Sequence, residues 1–144
     1  MGDGAKTTQA LCGILEAAVY VDNLDVAAAF YGGILGLEEI GRQEGRHVFF
    51  RCGQTIVLVF RAAETRKIAP SNALPIPTHG ASGAGHLCFA VDGASLDGWR
   101  QRLEDSDVEI EADFRWANGA RSIYFRDPDG NSREFAEPRL WALA

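Results

Sequence analysis

Apolar residues along this chain fall into short runs divided by glycines, aspartates and asparagines rather than into long helical stretches. Residues Gly13–Val21 read GILEAAVYV, an apolar run with one charge in it, as expected of a strand buried on most sides. Asp22 or Asn23 can cap a helix over Leu24–Ile34, where Leu24, Ala27, Ala28, Tyr31 and Leu35 recur at helical spacing, and Gly36 is placed to end it. Extended segments follow at Leu37–Arg42, Arg46–Arg51 and Thr55–Arg61, parted by Gly45 and by Cys52-Gly53-Gln54. The second half repeats the order: a strand over Gly85–Asp92, a helix over Leu96–Leu103, then strands at Val108–Phe114, Arg121–Arg126 and Ser132–Ala136.

The order strand, helix, strand, strand, strand thus occurs twice, and residues correspond as well as elements. Val21-Asp22 and Val91-Asp92 close the two first strands, and the same offset sets Glu16 against His86. An internal repeat of this length implies two similar modules packed together. The stretch Ala62–Ala84 carries Pro70, Pro75 and Pro77 and reads as a connector long enough to cover a site. The boundaries expected are 11–68 for the first module, 69–83 for the connector and 84–138 for the second, together one domain over 11–138.

The length of 144 residues suits one such domain, and 47% hydrophobic residues supply a core. A net charge of −6 with no Lys/Arg cluster argues against nucleic acid. No stretch reaches the roughly 18 apolar residues a membrane span needs, and none at the N-terminus resembles a signal peptide, so a cytoplasmic protein with no membrane partner is expected. The three cysteines, Cys12, Cys52 and Cys88, show no CxxC spacing, which fits a reducing compartment better than a disulfide framework. Cys88 shares the strand face of His86, but a small buried apolar role is expected for it.

Glu16, His86 and Glu134 stand where strand interiors should be apolar. Taken singly, each has an ordinary reading: an edge-strand carboxylate, a satisfied core histidine, a solvated charge. Together they lie in three different strands, two of them related by the repeat, and a buried carboxylate needs a partner. Their convergence suits one divalent ion of the Mn, Fe, Co, Ni or Zn kind with positions left open for a ligand. His79 in the connector is a candidate acid or base, and Arg121 and Tyr124 are further candidates to reach a substrate. His47 is expected to be structural, near the module interface, and Trp141 to pack on a partner chain or line a pocket.

The stretch IYFRDPDGNSREFAEP, Ile123–Pro138, resembles the closing signature of the vicinal-oxygen-chelate superfamily, which contains glyoxalases, bleomycin-resistance proteins and extradiol dioxygenases. LEAAVYVDNLDVAAAFYGGILGLE resembles its first strand and helix, and GHLCFAVD its fifth strand, which opens with a ligand histidine. The resemblance spans Leu11–Pro138. It implies an α+β fold of two tandem βαβββ modules forming a half-open, barrel-like cavity. It further implies frequent homodimers, and a small-molecule substrate chelated to the metal through two neighbouring oxygens by a lyase, isomerase or ring-cleaving dioxygenase. The alternative within the same family is a metal-free protein that sequesters a drug or other small molecule. Glu16 departs from the histidine common at the first ligand position, making the set harder and more anionic. The place of a fourth ligand aligns with Val57, or with Leu58 if the register slips by one. Neither binds metal, which argues against a four-ligand lactoylglutathione lyase.

Overall fold

A computed structural model describes residues 9–143. The first module runs β1 (Glu16–Val21), α1 (Leu24–Ala28), a wide π-helical turn (Ala29–Ile34), β2 (Glu38–Gln43), β3 (His47–Cys52) and β4 (Thr55–Arg61). A short α2 (Ala62–Thr65) opens the connector. The second module runs β5 (His86–Ala90), α3 (Leu96–Asp105), β6 (Ala112–Arg115), β7 (Arg121–Arg126) and β8 (Ser132–Ala136). The sheets have orders β1-β4-β3-β2 and β5-β8-β7-β6, the same arrangement twice, with β1 parallel to β4 and β5 parallel to β8. The expected pair of βαβββ modules is present. Neither sheet closes into a barrel.

The helix begins where a side chain can satisfy a free amide: Asn23 Oδ1 accepts from Val26 N at 3.1 Å. The expected continuous α-helix to Ile34 instead widens after Ala28. Leu35 N bonds back to Phe30 O and Leu37 N to Tyr31 O, and Gly36 takes φ +73°. The widened turn buries both Phe30 and Tyr31. Strand β6 is shorter than expected, covering only Ala112–Arg115.

Strand alternation sends Val19 and Val21, Val48 and Phe50, Val57 and Val59 to one side of the first sheet. Ile123, Phe125 and Phe135 take the matching side of the second. Both sides meet across the helices in one cluster, with Phe30 of the first module 6.2 Å from Phe125 of the second, centroid to centroid. Each sheet therefore turns its covered face inward and leaves its other face open. That division positions the site.

A buried polar node ties the modules. Tyr31 OH donates to Asp127 Oδ2 at 2.6 Å and accepts from Arg133 Nε at 2.8 Å, and Arg133 and Asp127 are both buried. Asp127 Oδ1 accepts from Asp129 N and Asn131 N, closing the DPDGN turn, in which Gly130 takes φ +81°. Asn131 bridges the module junction: its Nδ2 donates to Tyr20 O and its Oδ1 accepts from Gly85 N. Removing Asp127 or Arg133 strands the other's buried charge. Asp127→Ala should therefore lower unfolding stability by about 3–5 kcal/mol, against about 1–2 kcal/mol for Tyr31→Phe, which loses hydrogen bonds but no charge. Urea denaturation of the two variants checks the order.

Candidate metal centre

On the open face of the second sheet, β5 presents His86 and Cys88, β8 presents Ser132 and Glu134, and β7 presents Ser122 and Tyr124. His86 Nε2 lies 3.2 Å from Glu134 Oε1. The other polar atom of each side chain is held by a serine: His86 Nδ1 by Ser132 Oγ at 2.8 Å, and Glu134 Oε2 by the Ser122 hydroxyl at 2.6 Å. Glu134 is buried, whereas the imidazole is about half exposed. Nε2 and Oε1 thus face one another with their orientations fixed from behind, as metal-ligating side chains are. Two donors each ~2.1 Å from a common ion and at right angles would stand about 3.0 Å apart, so the observed spacing fits a shared divalent ion.

Cys88 pairs in register with Glu134, and it is exposed rather than the buried apolar residue expected. Partial desolvation, then the Glu134 charge, pushes its thiol up to about 12. The same two causes push the Tyr124 phenol up to about 12. Both groups are protonated at neutral pH, and each can donate a hydrogen bond on this face. The His86 and Tyr124 rings stack at 6.0 Å, and Tyr124 stacks on Phe114 at 5.8 Å.

Glu16 lies on the open face of the first sheet. It lines a trough of about 620 Å³ with Tyr20, His47, Phe49, Leu58, Phe60 and His79. His79 folds back from the connector, its N donating to Thr65 O, and its Nδ1 meets Tyr20 OH at 2.6 Å. His47 is on this open face as well, not at the module interface: it stacks on Phe49 at 4.0 Å and meets Arg46 through Nδ1. Trp141 is exposed. Among the described residues of one chain, no three His, Cys, Asp or Glu side chains converge as a metal group. One chain unites His86 with Glu134 and sets Glu16 on the other sheet.

The register also places the fourth position. Ala18 pairs with Leu58 as Cys88 pairs with Glu134, so Leu58 is the counterpart of Glu134, while Val57 points into the core. Arg121 turns to the helix side of its sheet, away from Glu134, where Asp113 takes two of its nitrogens at 2.7 and 2.8 Å and Asp97 a third at 2.6 Å. It is an ion-pair residue of the second module. The serines behind His86 and Glu134 were not foreseen. Counting alternate residues back from Glu134 through the DPDGN hairpin would have found both.

The Glyoxalase/Bleomycin resistance protein/Dioxygenase superfamily model matches residues 13–135. The chain belongs to this superfamily. Its vicinal-oxygen-chelate fold superposes with TM-score 0.89 on a lactoylglutathione lyase from Agrobacterium tumefaciens, 43% identical over 94% of this chain and 100% of that one. A fosfomycin resistance protein, FosX, from Listeria monocytogenes shares the fold at TM-score 0.65 and 20% identity, covering 89% of this chain and 94% of that one. The metallothiol transferase FosB of Staphylococcus saprophyticus is 38% identical over 50 residues, which span 34% of this chain and 33% of that protein. No helix among the described residues of this superfamily member is long and apolar enough to cross a membrane.

The ion pairs of Arg121 carry a pH prediction. Hydrogen bonds from Arg121 and Arg100 pull the Asp113 carboxyl down to about 2. A depressed carboxylate contributes stability above its unfolded value near 3.9, and that contribution fades as pH falls through about 2. Asp113→Asn should cost about 2 kcal/mol at neutral pH, with the gap to the parent narrowing below roughly pH 4. Chemical denaturation at pH 7, 4 and 2.5 measures it.

Proposed function

We propose that this protein is a divalent-metal enzyme acting on a small molecule held through two neighbouring oxygens. In this reading His86 and Glu134 of one copy and Glu16 of a second copy are the donors. The observation that carries it is the His86–Glu134 pair, pre-oriented by Ser132 and Ser122 on a face that the chain leaves uncovered. Glu16 stands on the equivalent face of the other module, also uncovered, so an exchange of faces between two copies would bring the three donors together. Exposed apolar side chains support such a pairing: Phe114 and Trp116 flank the second sheet, and Ile14, Leu15 and Ile76 lie about the first.

A divalent ion bound there would supply Lewis acidity to a chelated oxygen pair. The remaining work falls to side chains of this chain. Glu16 and Glu134 together balance a dication's charge, which favours a substrate bearing at most one negative charge over a polyanionic one. Leu58, in place of a fourth donor, keeps a ligand position open and makes the adjoining wall apolar. The protonated Tyr124 offers an O–H to a substrate oxygen as charge develops there. His79, held by Tyr20 over the trough, is placed to move a proton. The walls are aromatic, from Phe49 and Phe60 on one face to Tyr124 and Phe114 on the other. Among the described residues Arg46 is the one arginine or lysine lining the trough. Such walls favour a compact substrate with an apolar portion over a peptide-like thiol bearing several carboxylates. Lyase, isomerase and ring-cleaving dioxygenase reactions all suit a chelated oxygen pair.

Complementation between variants tests the reading. Glu16→Ala and Glu134→Ala should each fold, by circular dichroism, and each should lose bound metal. Mixed under conditions that allow subunit exchange, they should recover up to one ion per two chains, because a mixed pair rebuilds one complete site. Recovery of none would sink the shared site. Full metal in Glu134→Ala alone would sink the ligand assignment. Benzoylformate binding equally well with and without metal would favour sequestration over catalysis.

A further inference from the structure

We propose that Trp116 is a positioning residue for Glu134, acting through Ser122; the inference rests on His86 and Glu134 being metal donors. Trp116 follows β6 in the hairpin turn to β7. Its N donates to Ala120 O at 2.8 Å and its O accepts from Gly119 N at 2.8 Å, so its backbone is fixed by the turn. The ring packs edge-on against Phe114 at 4.9 Å, which fixes the side chain. From there the indole Nε1 reaches Ser122 Oγ at 2.8 Å, and that hydroxyl reaches Glu134 Oε2 at 2.6 Å.

The direction of these bonds is forced. An indole N–H only donates, so Ser122 Oγ must accept from it, and the hydroxyl has a single hydrogen left for the carboxylate. Ser122 is fully buried, so no water competes for that hydrogen. Donor, relay and acceptor form a one-way chain from the rim of the sheet to Oε2. It pins the otherwise soft rotation of the carboxylate and engages one oxygen, leaving Oε1 aimed at His86. The carboxylate is thereby set to bind an ion through one oxygen. Without Trp116 the Ser122 hydroxyl gains rotational freedom, and Oε2 is no longer held back. Trp116 itself is 38% exposed, so a group that displaces the indole at the rim would act on a carboxylate it never touches.

The test is a titration with Co²⁺ alone, on the parent protein, Trp116→Phe, Ser122→Ala and the double variant. Phenylalanine keeps the ring packing and removes only the donor. Trp116→Phe should weaken Co²⁺ binding about tenfold and Ser122→Ala by between ten- and a hundredfold. The visible absorption of bound Co²⁺ should weaken in both as the carboxylate is freed to bind through two oxygens. In the Ser122→Ala background, Trp116→Phe should add nothing, because both lie on one chain of bonds. Thermal midpoints, which a purely structural tryptophan would lower, should stay close to the parent for Trp116→Phe. Unchanged affinity and spectrum in Trp116→Phe overturn the proposal, and so do effects that simply multiply in the double variant. A parent protein that takes up no Co²⁺ overturns the metal reading itself, and this inference with it.

Discussion

The buried bonding of Tyr31, Asp127 and Arg133 is the constraint on which the rest of the molecule depends. It joins a helix of the first module to the closing hairpin of the second, inside a core where no water can substitute for a lost partner. Burial pushes the Tyr31 phenol far above its ordinary range, with the Asp127 charge adding to the effect, so the group is fixed as a donor to Asp127. Because Arg133 is anchored inward, its neighbour Glu134 must project outward. Period-two alternation converts a structural bond on one face of β8 into a placed carboxylate on the other. A slip of one residue would exchange the two and put an unpaired arginine where Glu134 meets His86.

The two modules share a fold but not a chemistry. Equivalent positions hold Glu16 and His86, Ala18 and Cys88, Leu58 and Glu134. One open face therefore carries a pre-oriented polar pair, and the other carries a single carboxylate amid aromatic rings. If both faces held full ligand sets, each could fill alone. Among the described residues neither face gathers three metal-capable side chains by itself, and a leucine stands on the first face where the second has its glutamate.

Much of this was legible in the sequence. Strands at Thr55–Arg61, Arg121–Arg126 and Ser132–Ala136 match their expected limits, because each is bounded by residues that cannot continue a strand without cost. The DPDGN turn was legible for the same reason: a fixed φ at Pro128, a positive φ at Gly130 and two side chains that bond their own backbone. What was hidden depended on the partner across the sheet or the module boundary. Tyr31 looked like any aromatic on a helical stripe, since its role comes from residues about a hundred positions away. Arg121 and Tyr124 are separated by an odd number of steps, and only the β7–β8 register shows which one meets Glu134. Cys88 reads as a small buried apolar residue but is exposed, and His47, expected near the module interface, lies on the open face of the first sheet.

The wide turn at Ala29–Ile34 sets a limit on how this chain could be improved by design. Replacing it with a regular α-helix would strengthen local hydrogen bonding, and shortening the segment by one residue is the obvious way to do so. Each residue of a regular helix turns the chain by about 100°, so that deletion would swing Tyr31 or the following strand out of alignment. The irregularity is what lets one helix meet its cap at Asn23, its exit at Gly36 and a carboxylate on the other module at once. An algorithm that scores the helix by itself would remove the feature that holds the two halves together.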